Sequence, residues 1–241
     1  MLNSQQMAAV HYIDGPLLVL AGAGSGKTRV ITQKIGYLIN TCGYAAKSIC
    51  AVTFTNKAAS EMRARVATVL PAQNRRGLKV ATFHTLGLSM VKRDAALCGL
   101  KKGFSIFDSE DCLQVLRNFL TANKANEREY LFQIQQQISR WKNDLLSPEA
   151  VFQRTPDSPI YEEAALIYPR YQQALKSYNA VDFDDLIRLP VSLLTEHPEV
   201  LEYWQNKIRH LLVDEYQDSN TSQYLLVKKL VGVRAHFTVV G

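Results

Sequence analysis

The segment Ala21-Gly22-Ala23-Gly24-Ser25-Gly26-Lys27-Thr28 constrains this chain more than any other. It follows the apolar run Leu17–Leu20 and leads into Arg29-Val30-Ile31-Thr32-Gln33-Lys34-Ile35, whose apolar spacing is helical. A strand, a glycine-rich turn and Lys-Thr opening a helix make the context of a P-loop. Glycines let the backbone pass close to a polyphosphate with its N–H groups turned inward, and the helix start adds partial positive charge. In such a loop Lys27 reaches the β- and γ-phosphates and the Thr28 hydroxyl ligates Mg²⁺. One departure is present: Ala21 stands where the general G-x-x-x-x-G-K-[ST] pattern has its first glycine. The bland alternative is a glycine-rich turn with no ligand, and the Gly-Lys-Thr ending in this context weighs against it.

Around the loop, strand and helix alternate. Asn3 to Tyr12 reads as a short helix with Asn3 as N-cap, Leu17–Leu20 as a buried strand and Lys27 to Thr41 as a helix. Ile49 to Phe54 is a second strand, Lys57 to Leu70 a helix and Lys79 to Thr82 a third strand. The alternation predicts a parallel sheet covered on both faces. Between His84 and His197 only helical periodicities follow, over Asp108–Ala122, Glu127–Leu145, Tyr161–Tyr178 and Asp182–Glu196, punctuated by Pro148, Pro156, Pro159 and Pro198. Strand character returns at His210–Val213 and Phe237–Val240. The expected organisation is an α/β sheet domain in two parts, residues 1–83 and 198–241, interrupted by an all-helical insertion at 84–197. The strand ending at Gly241 reads as a sheet cut short, because functional residues follow such strands at their carboxyl ends.

Leu211-Leu212-Val213-Asp214-Glu215 is an apolar strand ending in adjacent carboxylates. In a P-loop fold the acid at the strand tip holds Mg²⁺, and the next positions or deprotonates the attacking water. A charged pair at a buried strand end is costly without a metal or partner, which argues against a mere acidic turn. Net charge of +6 and a pI near 9.1 permit a polyanionic partner without demanding one. The basic groups Arg63/Arg65, Arg75/Arg76/Lys79 and Lys101/Lys102 each read singly as solvated faces. Cys42, Cys50, Cys98 and Cys112 lack zinc-site spacing and read as free thiols in a reducing compartment. No secretion signal or membrane-length apolar run is present, so the expectation is a cytoplasmic protein.

Together these motifs resemble the superfamily 1 DNA helicases of the UvrD/Rep type, over nearly the whole chain. Gln6, in Leu2-Asn3-Ser4-Gln5-Gln6, matches the family's adenine-binding glutamine. Ala21–Thr28 matches the family's own form of the P-loop, which carries alanine first, and Arg29 stands where the family places a residue near the base. Val52–Ala59, Thr82–Gly87, Asp182–Ile187 and Val213–Asp218 match further family motifs. Gly43-Tyr44, Trp141–Asp144 and Thr221–Tyr224 resemble the Rep branch more than its paralogues.

The resemblance implies a RecA-like P-loop NTPase lobe with a helical accessory insertion, using ATP and Mg²⁺. Lys27, Asp214 and Glu215 are then the catalytic candidates, with Thr28 and Asp214 on the metal. Gln6, Ala21, Gly22, Ala23, Gly24, Ser25, Gly26, Lys27, Thr28 and Arg29 hold the nucleotide. Thr53, Phe54, Thr55, Asn56, Thr82, Phe83 and His84 are the candidates for single-stranded DNA. From the residues alone Phe54 reads as packing; within the family it stacks a base. His84 is expected to contact phosphate or to link the DNA groove to the ATP site. Trp141 with Lys142 and Asn143 could touch DNA from the helical insertion, but the reading favoured is the bland one, Trp141 as an anchor in its own core; Asp182, Asp184 and Asp185 read as hydrogen-bonding groups between lobes.

The implied parent is a 3′–5′ ATP-dependent DNA helicase of replication or repair, acting on single strands and single/double-strand junctions. The implied partners are a second RecA-like lobe of the same chain, replication or repair proteins, and no membrane. Without that lobe's arginine fingers, worth about 10³–10⁵-fold in P-loop NTPases, the segment is expected to hydrolyse little and unwind nothing. A small-molecule P-loop kinase is disfavoured by the Asp-Glu-x-Gln-Asp strand end and the large insertion. A GTPase is disfavoured because Asn56-Lys57-Ala58-Ala59 lacks the base-reading Asp. A non-hydrolysing, nucleotide-gated DNA-binding or scaffold module is the alternative from another class.

Overall fold

The computed structural model describes residues 2–22, 24–120, 127–155, 158–232 and 236–241. Ala23 of the glycine-rich loop, Ala122 and Pro156 lie outside the described residues. The strands are β1 (Leu17–Val19), β2 (Ile49–Thr53), β3 (Lys79–Thr82), β4 (Ser105–Ile106), β5 (Ala180–Val181), β6 (His210–Val213) and β7 (His236–Val240). The first helices are α1 (Ser4–His11), α2 (Lys27–Asn40), α3 (Asn56–Val69), α4 (Phe83–Arg93), α5 (Ser109–Arg117) and α6 (Glu127–Asn143). Then come α7 (Pro148–Phe152), α8 (Pro159–Ser177), α9 (Asp185–Glu196), α10 (Pro198–Lys207) and α11 (Thr221–Val231). The chain divides into two compact units. The first holds residues 1–86, 194–219 and 224–241; the second holds 87–193 and 220–223.

The first unit is built on a parallel five-stranded sheet in the order β1-β7-β6-β2-β3, flanked by helices. Every residue of β2 and β6 is buried, as expected for central strands covered on both faces. One covered face meets Ile31, Ile35 and Leu38 of α2 and Met62 and Val66 of α3. The helical spacing of those side chains is what makes these segments helices that bury a stripe, each side chain contributing about 1.5–3 kcal/mol. β1 departs from the expected buried strand: it is the sheet edge, pairing with β7 alone, and Leu18 is 56% exposed. α1 starts at the expected place, with Asn3 and Gln6 forming a reciprocal capping box.

The second unit is not all-helical, contrary to expectation. β4 and β5 form a short parallel ladder, Ser105 to Ala180 and Ile106 to Val181. Its core gathers Leu116 of α5, Ile134, Ile138 and Trp141 of α6, and Tyr168 and Tyr171 of α8. Gly87 marks the closest approach in this unit: a Cβ there would fall 1.8 Å from the Leu186 carbonyl oxygen, so only glycine lets α4 lie against the start of α9. No helix of the described residues is long and apolar enough to cross a membrane.

Candidate nucleotide and nucleic-acid site

In the first unit the carboxyl ends of the parallel strands carry the sequence-predicted residues, the usual ligand edge of such a sheet. Between β1 and α2, Ser25 N–H donates to Gly22 O at 3.2 Å. Gly24 and Gly26 adopt φ of +75° and +83°, conformations L side chains rarely adopt. Gly26 is also the N-cap of α2, which presents the helix start to the loop. A Cβ on Gly26 would lie 3.2 Å from Gln6 Nε2, so glycine there also makes room for the α1 side chain.

Gln6 is tied directly to this loop. Its Nε2 donates to Ser25 O at 2.8 Å while its Oε1 accepts from Asn3 N–H at 2.9 Å. Sequence reasoning overlooked the residue that fixes the two helices together. Lys34 is 1% exposed, and its Nζ donates to Ala9 O at 2.9 Å and Tyr12 O at 2.5 Å, closing the C-terminus of α1 from α2. Burial lowers its pKa to about 8. The signal was available: a lysine set between Ile31 and Ile35 on an otherwise apolar stripe.

Across the loop, Thr28 Oγ1 donates to Asp214 Oδ2 at 2.9 Å, joining residues 186 positions apart. Asp214 is buried, held where β6 ends by its N–H donating to Val52 O at 3.1 Å. Two oxygen ligands at right angles on an octahedral Mg²⁺, each about 2.1 Å from the ion, lie about 3 Å apart. The Thr28–Asp214 pair therefore fits that ion. Among the described residues no cluster of three His, Cys, Asp or Glu side chains forms. Glu215 is exposed beside the pair with φ +56°, a left-handed conformation uncommon for a side chain of this kind and found at strained functional turns. Arg29 is exposed at the start of α2, and Lys27 opens that helix half-buried.

At the tips of β2 and β3 the other candidates sit together, Thr53 opposite Thr82. Thr55 Oγ1 accepts from Ala58 N–H at 3.1 Å and caps α3; Thr82 Oγ1 accepts from Thr85 N–H at 3.1 Å and caps the start of α4. Thr53, Thr82 and Phe83 have buried side chains. Phe83 therefore offers no face to a ligand: its ring supports the half-buried Phe54, centroids 5.2 Å apart. The surface consists of Phe54, Thr55, Asn56 and the half-buried His84, whose pKa burial lowers.

The second unit removes one alternative and relocates one set of hydrogen bonds. Trp141 is buried against Tyr161 and Tyr168, as an anchor should be, but Lys142 is also fully buried and cannot touch DNA. Its Nζ lies 2.5 Å from Asp182 Oδ2 and 3.1 Å from Asp185 Oδ2, and those carboxylates hold its pKa above the ordinary value despite burial. The carboxylates expected to bond between lobes work inside this unit. Asp182 accepts from Tyr171 Oη and from Asp185 N–H, both at 2.9 Å, and Asp184 accepts from Asn143 Nδ2 at 3.0 Å. Burial, then the charge of Asp182, pushes Asp184 up to about 6. Asn220, also unanticipated, donates its Nδ2 to Asn143 Oδ1 at 2.8 Å.

Comparison with known proteins adds the following. The family described as UvrD/REP helicase N-terminal domain matches residues 2–241. ATP-dependent DNA helicase Rep of Escherichia coli K12 is 53% identical over 243 aligned positions, covering 100% of this chain and 36% of that protein. Rep of Buchnera aphidicola subsp. Baizongia pistaciae is 46% identical, with 100% of this chain and 35% of the relative covered. ATP-dependent DNA helicase PcrA of Staphylococcus epidermidis RP62A is 39% identical, with 100% and 33% covered. The chain thus spans about a third of the length of these relatives.

Proposed function

This chain belongs to the UvrD/REP helicase family, in its N-terminal domain, and we propose that it is the ATP- and single-strand-binding lobe of a 3′–5′ ATP-dependent DNA helicase. The observation that carries the reading is the Thr28–Asp214 contact beneath a glycine loop that also holds Gln6. Lys27 and the α2 start take the β- and γ-phosphates, and Gln6, with hydrogen-bonding capacity beyond its two present partners, meets the adenine. Thr28 and Asp214 would hold Mg²⁺, which neutralises charge on the phosphates when bound. Glu215 orients and deprotonates the attacking water. Phe54 stacks an unpaired base, and Thr55, Asn56 and His84 meet the adjoining phosphates. A second RecA-like lobe, carried by the further length of the relatives, closes over the nucleotide. Alone, this chain binds nucleotide weakly, hydrolyses it negligibly and unwinds nothing. The parent acts in the cytoplasm on single strands and their junctions with duplex.

The test restores the further length and measures ATP hydrolysis with and without single-stranded DNA. Turnover rises with the DNA, and Glu215→Gln abolishes it while preserving ATP binding. Turnover that ignores DNA, or an unaltered Glu215→Gln rate, sinks the assignment.

A further inference from the structure

At the amino ends of β3, β2 and β6, the sheet edge opposite Phe54 and Asp214, basic residues from separate segments gather. Lys47 lies two residues before β2, Arg209 immediately before β6, and Lys79 opens β3. Parallel register brings them side by side: Arg209 N–H donates to Ser48 O at 2.8 Å, and Lys79 stands opposite Cys50. Lys207, ending α10, lines one surface cavity of about 520 Å³ together with Lys47 and Arg209. Gly77 carries the Arg75-Arg76 turn alongside, since a Cβ on it would lie 2.9 Å from Lys47 Cβ.

No carboxylate lines that cavity, and among the described residues none pairs with Lys47, Lys207 or Arg209, all three exposed. Beside them the Lys79 and Lys207 ammonium groups approach Trp204 at 5.7 and 4.9 Å from the ring centroid. Burial, with the Lys207 charge adding to it, holds Lys79 below its ordinary value. Like charges gathered without acids repel, and an anion relieves them.

The surface reads charge and not bases. Trp204 is buried, and the exposed Tyr203 is already engaged by Lys207, whose Nζ lies 5.3 Å from its ring centroid and donates to its hydroxyl at 3.2 Å. Strands spaced about 4.8 Å apart set Arg209, Lys47 and Lys79, at β6, β2 and β3, across about 10 Å, the axial length of about three phosphates along one DNA strand. We propose that this amino-end face is a second DNA contact, taking the phosphodiester backbone of duplex DNA and distinct from the single-strand site at the carboxyl ends. The proposal rests on the chain working on DNA, and its failure is separable from failure of that reading.

The test titrates a fluorescein-labelled blunt duplex with the chain over a series of salt concentrations. Wild type is compared with Lys47→Gln/Lys207→Gln/Arg209→Gln, circular dichroism confirming the fold. At low salt the triple variant binds at least about tenfold more weakly, and its slope of log affinity against log salt is shallower by about 2–3. Lys101→Gln/Lys102→Gln/Lys176→Gln, which removes equal charge elsewhere, keeps the wild-type slope. Duplex binding unchanged in the first variant, or equally weakened in both, overturns the proposal. So does tighter wild-type binding of poly-glutamate than of the duplex, which would assign the face to an acidic protein segment. The single-strand reading fails separately, through Phe54→Ala on oligo-dT.

Discussion

Replacing Lys142 with Met removes a cation that the second unit has built itself around. Its ammonium touches Asp182 and Asp185 at 2.5 and 3.1 Å, but the two acids do not lose equally. Asp185 keeps Arg188, whose Nε and Nη2 both lie 2.9 Å from Asp185 Oδ1. Among the described residues Asp182 keeps the hydrogen bonds from the Tyr171 hydroxyl and the Asp185 N–H. Asp182 therefore loses its direct ion pair and is left with the more distant charge of Arg188, and removing one member of a buried pair costs about 3–5 kcal/mol. The two remaining hydrogen bonds place the expected loss at about 3 kcal/mol, a large share of a domain's stability of about 5–15 kcal/mol. The assay is urea unfolding followed by Trp141 fluorescence in a Trp204→Phe background, because Trp141 packs in this unit's core and Trp204 in the other unit. Adding Asp182→Asn to Lys142→Met recovers part of the loss, since the double variant no longer buries an orphaned charge. Lys142→Met within about 0.5 kcal/mol of wild type, combined with weakened DNA binding, would refute the burial argument and return Lys142 to the surface.

Two further perturbations have definite signs. His210 is 1% exposed, and burial, then the charges of His236 and Lys34, lowers its pKa from 6.5 to about 4. Between pH 6.5 and about 4 the unfolded chain holds the extra proton, so the stability of the neutral buried ring is present above 6.5 and lost as pH falls through that window. The loss amounts to about 3 kcal/mol at most. Denaturation of the first unit at pH 7, 6, 5 and about 4.5 should show it, and His210→Gln should flatten that limb; an equally steep limb in the variant would put the titration elsewhere. Phe54→Ala should weaken oligo-dT binding by about 1–3 kcal/mol if the ring stacks a base, measured by anisotropy, whereas loss of stability with intact binding would make it packing around Phe83.

Much of the sheet is legible because buried strands such as Ile49–Thr53 and His210–Val213 are continuous apolar runs bounded by polar turns. The α1 start is legible from Asn3 as an N-cap residue, while the reciprocal part of Gln6 in the capping box is seen in the structure. β4 and β5 were invisible because two residues each have no period to detect. Pro148 and Pro198 read as interruptions, yet each stands in the first turn of a helix, where a missing N–H costs nothing. The burial of Lys142 was not legible because its partner Asp182 lies 40 positions away, which no local pattern encodes. The Thr28–Asp214 contact is equally remote in sequence, and chemistry rather than periodicity linked it: each residue stands where a phosphate-bound metal would require it.

The most direct test of the central claim is titration of a fluorescent ATP analogue into this chain with Mg²⁺, wild type against Lys27→Ala. The account predicts saturable binding by the wild type that is lost in the variant while the fold is retained. Binding undiminished in Lys27→Ala, or none by a folded wild type, would contradict the assignment of the Ala21–Thr28 loop as a working phosphate site.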